Sequence, residues 1–102
     1  MSEEQPNQPR VKELAFQFAV SLIRFLRAMP PGVIERELVR QLFRAGASIG
    51  ANIEEAEGAR TKPEFVNSMN IAKGEARETV YWIRLLLRML TAIVKTSHPR
   101  HF

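Results

Sequence analysis

Apolar residues recur in steps of three and four from the start of the structured sequence: Val11, Leu14, Phe18, Leu22, Phe25, Leu26 and Met29. That spacing gathers them on one side of an α-helix. Pro30-Pro31-Gly32 ends the run, because proline disfavours helical backbone in the residue before it and has no N–H to donate. The turn is short, so a second helix should run back antiparallel. It begins near Val33 and carries Ile34, Leu38, Leu42, Ala45, Ile49, Ile53 and Ala56 on its apolar face, joined by Val39 and Phe43. Gly46 and Gly50 lie inside it, each costing about 1 kcal/mol against alanine. Close approach of a neighbouring backbone is the expected reason, with Ala47, Ser48 and Ala51 keeping the region thin. The helix should end at Gly58 in a left-handed conformation.

Thr61-x-x-Glu64 is a capping-box pattern, and Pro63 suits a first helical turn. A third helix from Pro63 to Thr96 would be about 50 Å long, nearly twice the reach of the first. Phe65, Met69, Ala72, Ala76, Ile83, Leu86, Leu90 and Ile93 form its apolar face. Its second half is apolar around much of its circumference, from Trp82 and Ile83 to Val94. Three unequal helices would leave part of this surface in water, and large exposed apolar patches mark association sites. The pattern therefore predicts an all-α antiparallel bundle, three helices per chain with a long third helix, that forms a homo-oligomer. Residues 10–96 make one helical domain, between a polar tail at 1–9 that reads as disordered and a frayed tail at 97–102.

A chain of 102 residues makes one domain at most, and a lone copy buries only a modest share of its surface. Fifteen basic residues, eleven of them arginine, stand against eleven acidic ones, for a net charge of +4. Arginine's planar fork suits phosphate and carboxylate, so an anionic partner is consistent with the composition. There is no cysteine, which excludes disulfides, thiolate chemistry and cysteine zinc sites. Met1 to Arg10 is polar and acidic, unlike a secretory signal. Arg84 and Arg88 interrupt the longest apolar stretch, which falls short of the roughly 20 residues of a membrane span. A cytoplasmic protein is the expectation.

The charged residues are patterned too. At about 100° per residue, Lys73, Arg77, Arg84, Arg88 and Lys95 fall within a wedge of about 60°, with Glu64, Glu75 and Glu78 roughly opposite. Arg36, Arg40 and Arg44 form a shorter row at i, i+4 steps, where like charges repel mildly. Carboxylates on a neighbour or an anion in solution would offset that repulsion. Two readings stand side by side: a phosphate-tracking surface that displaces counterions from nucleic acid, and a solvated face held by ion pairs within or between chains. Tyr81 and Trp82 could stack on bases, but on such an apolar helix they read first as core. Asn52 reads as a structural amide bonding a backbone group or a facing helix, or else as a register-setting polar contact at a subunit interface.

Little in the sequence suggests catalysis. Glu54, Glu55 and Glu57 have no histidine near them to build a carboxylate-bridged metal site, and they read as solvated or paired with Arg60 and Lys62. His98 and His101 lie in the tail. Ser48 and Ser68 have no base beside them, and no glycine-rich phosphate loop is present. No enzyme, cofactor or metal is expected.

Three segments carry a resemblance: Ser48-Ile-Gly-Ala-Asn-Ile-Glu-Glu-Ala56, Ala59-Arg-Thr-Lys-Pro-Glu-Phe65 and Glu75-Ala-Arg-Glu-Thr-Val-Tyr-Trp82. Over about residues 11–96 the chain resembles the four-helix-bundle proteins of the 23S ribosomal RNA intervening-sequence family, to which the accessory protein of diversity-generating retroelements is related. The resemblance implies an antiparallel bundle, assembly into a ring-like homo-oligomer that is commonly a pentamer, a basic surface suspected of binding nucleic acid, and no enzymatic activity. In one respect the chain departs from the family. Trp82-Ile-Arg-Leu-Leu-Leu87 runs straight into Arg88-Met-Leu-Thr-Ala-Ile-Val-Lys-Thr96, which resembles the end of the family's fourth helix, so the turn and the start of that helix are missing. A fused third helix that pairs with another chain, or a local break near Leu87 to Leu90, would resolve this.

The sequence thus points to a non-enzymatic, oligomeric protein associated with RNA or DNA. Lys73, Arg77, Arg84, Arg88 and Lys95 would neutralise phosphates, and Arg36, Arg40 and Arg44 would extend the surface. The alternative is a structural adaptor or scaffold whose arginine rows pair with an acidic protein partner. A third reading places the basic amphipathic helix on an anionic membrane.

Overall fold

A computed structural model describes residues 10–97, with side chains to Val94. The expected tails fall outside it, except that Ser97 belongs to the last helix. Three helices make up the described chain: α1 Val11–Arg27, α2 Val33–Glu57 and α3 Lys62–Ser97. Their bounds lie within two residues of the expected ones, save at the end of α1.

The stops and starts follow local chemistry. Past Arg27, the N–H groups of Ala28 and Met29 bond Phe25 O at 3.1 Å and Leu26 O at 3.2 Å. This tightens the last turn before two prolines end it. Gly32 opens α2 at φ 145°, a conformation that favours glycine, and its carbonyl accepts the Arg36 N–H at 3.0 Å. The capping box before α3 forms with a shift. Thr61 Oγ1 accepts the Glu64 N–H at 3.2 Å, and Glu64 Oε1 reaches back to the N–H of Arg60 at 2.9 Å, one residue before the cap.

Gly58 departs from expectation. It closes α2 at φ −90°, not in the left-handed region, because its N–H is shared between the carbonyls of Glu54 and Glu55, each at 3.2 Å, and the chain turns at once into the Thr61 cap. Gly46 departs too. What sits against it is a side chain: a Cβ there would collide with Leu22 Cδ2. Gly50 does face backbone, with its Cβ position 3.8 Å from the Ala15 carbonyl.

Two apolar clusters fix the helix directions. Ala15, Ile53 and Ala72 meet in one half of the bundle, and Leu22, Leu26, Leu42 and Leu86 in the other. The order is antiparallel at each turn, so α1 and α3 both finish where α2 begins. Leu42 and Leu86 are fully buried. Both outer helices pack on α2, yet the Cα atoms of α1 and α3 nowhere come within 8 Å of each other. The molecule is correspondingly long and thin, 65 × 29 × 18 Å with a radius of gyration of 17.7 Å, against about 13 Å for a compact chain of this length.

α3 is one uninterrupted helix, about 54 Å long, so it is fused, with no break near Leu87. Much of its second half is exposed, including Val80 at 55%, Leu87 at 48% and Val94 at 57%. No helix among the described residues is long and apolar enough to cross a membrane.

Candidate nucleic-acid interface

The two basic rows have different surroundings. Lys73, Arg77, Arg84 and Arg88 are all exposed, on the side of α3 turned away from Ala72, Thr79 and Leu86, which are buried. None of the four takes part in an ion pair among the described residues. Lys95 continues their row along the same helix, and its side chain lies outside the described residues.

The α2 row is offset by carboxylates. Arg44 donates to Glu78 Oε2 at 2.5 Å and to Glu75 Oε1 at 3.5 Å, so it crosses from α2 to α3. Arg40 is held by Glu37, one turn earlier on its own helix, with its Nη2 2.7 Å from Oε2. Arg36 has no ion pair among the described residues and is exposed. Glu37 therefore serves Arg40 within the chain. The hydrogen bonds from Arg40 and then Gln41 lower its pKa, and Glu37 in turn raises that of Arg40.

The Arg44 contact belongs to a small network. Glu78 also accepts the indole Nε1–H of Trp82 at 3.1 Å. The hydrogen bond from Arg44, then that from Trp82, holds the Glu78 carboxyl below the ordinary range, and Glu78 raises the pKa of Arg44. Trp82 is half-buried against the leucine cluster, as a core residue should be. Tyr81 is not core: it is 57% exposed, because it sits on the outer side of α3, edge-on to Trp82 with ring centroids 5.2 Å apart.

Other expected roles divide similarly. Asn52 is a structural amide, donating to Ser48 O at 2.8 Å within α2. Glu57 pairs with Lys12 at 3.2 Å and Arg10 at 3.6 Å. The expected Arg60 and Lys62 are not its partners, because the antiparallel turn lays the start of α1 beside the end of α2. Among the described residues, no three His, Cys, Asp or Glu side chains group to hold a metal.

The fold also polarises charge along the bundle, which helix periodicity alone does not reveal. The half holding the leucine cluster carries Arg24, Arg27, Arg36, Arg40, Arg84 and Arg88 against Glu35 and Glu37. The other half carries Arg10, Lys12, Arg60, Lys62 and Lys73 against Glu13, Glu54, Glu55, Glu57 and Glu64, with Arg44, Arg77, Glu75 and Glu78 between the two. Near α3, the free-standing row ends in the basic half.

The sequence profile of the 23S rRNA-intervening sequence proteins matches residues 7–97. The chain belongs to this family. A solved structure from the same group supports the fold: a protein of unknown function from the S23 ribosomal protein family of Bacteroides thetaiotaomicron. It is 41% identical, with a TM-score of 0.68, over 78% of this chain and 70% of that one. No curated protein resembles the chain closely enough to lend it a function. The three segments around Asn52, Pro63 and Trp82 therefore carried a true family signal. In this 23S rRNA-intervening sequence protein, two of them supply the small-residue packing at Gly50 and the cap at Thr61.

Proposed function

We propose that this protein is a non-enzymatic, self-associating helical bundle that binds nucleic acid through the outer side of α3. One observation carries the reading: Lys73, Arg77, Arg84 and Arg88 stand exposed in one row without ion pairs among the described residues, whereas Arg40 and Arg44 are engaged by carboxylates. A like-charge row without internal partners is suited to phosphates, whose counterions it displaces. Arg36 and Lys95 would extend the surface, while Arg40 and Arg44 would join it only by sharing their carboxylates. The family's description names an intervening sequence of 23S rRNA, so structured RNA is the first probe and duplex DNA the second.

The test is a titration of labelled RNA and DNA duplexes at several salt concentrations. The logarithm of affinity should fall linearly with that of salt. Arg84→Gln with Arg88→Gln should weaken binding to all sequences alike. It should also make the slope shallower by about 2, near 0.9 for each phosphate left without its cation. Unchanged affinity and slope in that double variant would refute the assignment.

A second reading has its own observation. Ile23, Leu26, Val39 and Phe43 line a shallow groove of ≈ 380 Å³ between α1 and α2, with Arg27 and Arg40 at its edge. An apolar floor between cations suits an amphipathic acidic helix, which is the adaptor alternative. Failure to bind either nucleic acid at low salt, with an acidic helical peptide competing at Phe43, would favour it.

A further inference from the structure

The basic row of α3 has an aromatic ring set into it. Lys73, Arg77, Tyr81, Arg84 and Arg88 follow one another at steps of four, four, three and four, and all are exposed. At about 100° per residue they share a wedge of about 80°, with Tyr81 about 20° from Arg88 and about 40° from Arg77. Arg77 and Arg84 are two turns apart, about 10 Å along the axis. Tyr81 occupies the rung between them, so two cations stand on each side of the ring.

That ring is open yet braced. Tyr81 is 57% exposed and meets Trp82 edge-on, with centroids 5.2 Å apart and planes at 71°. A T-shaped contact engages at most one face of either ring, so at least one face of Tyr81 stays uncovered by Trp82. Trp82 is itself fixed, packing on the leucine cluster and donating its indole N–H to Glu78. The Tyr81 hydroxyl has no hydrogen-bond partner among the described residues. Glu75 and Glu78, the carboxylates nearest this ridge on α3, are both engaged by Arg44, which leaves the ridge cationic.

We propose that the ridge takes a single-stranded segment of RNA, its phosphates on the cations and an unpaired base stacked on Tyr81. This rests on the nucleic-acid reading above and deepens it, since cations alone accept a duplex as readily as a single strand. The ring decides between the two. Inside a duplex each base has both faces covered by its neighbours, and only base edges reach the grooves. An unpaired base offers a face on which an aromatic side chain can stack. A single strand also matches the order of the ridge: phosphates flank each base along the strand, as cations flank the ring along α3. Every base has a π-face, so this contact selects unpaired bases over paired ones without choosing among sequences.

The test is fluorescence anisotropy with a labelled oligouridylate of about 12 nucleotides, within the range of known single-strand sites. The same strand annealed to oligoadenylate is the duplex control. Tyr81→Ala should weaken the single strand about tenfold, as for the loss of one base–aromatic stack, and the duplex less than about twofold. Helical circular dichroism should not change, because alanine is the better helix former and most of the ring is exposed. Tyr81→Phe keeps the π-face and should keep the affinity. The salt slope for the single strand should be the same in Tyr81→Ala as in the parent, because no phosphate contact is lost. Arg84→Gln with Arg88→Gln should make that slope shallower. Single-strand affinity unmoved by Tyr81→Ala but weakened by the arginine pair would overturn stacking and leave the cation row standing. Indifference to both changes would overturn the row as well. An equal loss on single strand and duplex in Tyr81→Ala would overturn the recognition of unpaired bases. Tighter binding of oligodeoxyuridylate than of oligouridylate would overturn RNA as the strand.

Discussion

Leu85, Leu86 and Leu87 are three consecutive leucines on one helix, and the fold gives them three different environments. Leu86 is fully buried between α1 and α2, while Leu85 is 39% and Leu87 48% exposed. Each leucine-to-alanine change removes the same atoms and leaves helix propensity nearly unchanged, since alanine is slightly the better former. Burial is then the variable that separates them. Leu86→Ala loses a whole buried side chain and leaves a cavity, for about 3 kcal/mol. Leu85→Ala and Leu87→Ala lose only the covered part of a side chain worth about 1.5–3 kcal/mol when fully buried, so about 1 kcal/mol each. With a urea m-value of about 1–1.5 kcal/mol/M for a small domain, the unfolding midpoint should move about 2–3 M for Leu86→Ala and less than about 1 M for the others. The assay is urea unfolding followed by circular dichroism, at a concentration where single copies prevail. The reasoning fails if either neighbour costs as much as Leu86, or if Leu86→Ala unfolds at the same urea concentration as the parent chain.

The helical glycines should separate in the same way. Gly74→Ala, with nothing within 4 Å of its new Cβ, and Gly50→Ala, whose Cβ would sit 3.6 Å from that of Ala15, should stabilise by up to about 1 kcal/mol through helix propensity. Gly46→Ala should destabilise because Leu22 must move, and thermal melts of the three variants check the order. Glu78 predicts a pH response. Its pKa is lowered, so the stability it contributes is present above the ordinary value of 4.5 and is lost as pH falls through the lowered one. Trp82 is the chain's one tryptophan and bonds that carboxylate. Its fluorescence should therefore change with a midpoint below 4.5. The midpoint should move up in Arg44→Gln, and the transition should vanish in Glu78→Gln. An unmoved midpoint in Arg44→Gln would contradict the assigned cause.

The helices were legible because their signals are local. Three-and-four spacing, the Pro30-Pro31-Gly32 stop and the Thr61 cap each act within a few residues, and each shapes the chain where the sequence places it. What escaped depends on which helix lies beside which. Nothing near Gly46 in sequence says that Leu22 fills the space above it. Nothing near Glu57 says that Lys12 will be its partner. The α2 arginine row looked uniform, yet Arg44 alone faces the carboxylates of α3, a difference set by the angle at which two helices pack. The α3 row fared better, since a row pointing away from every neighbour has only its own helix to obey. Tyr81 was misplaced because an apolar helix with no closing partner has more outer side than its composition suggests.

Gathering arginines towards one tip and glutamates towards the other gives this slender particle an electric moment along its axis. Near a polyanion, at distances of about 8 Å in physiological salt, such a moment exerts a torque before any atoms meet. The particle would swing round and arrive tip first, so the geometry of its first encounter is decided by the order of the three helices as much as by any single contact.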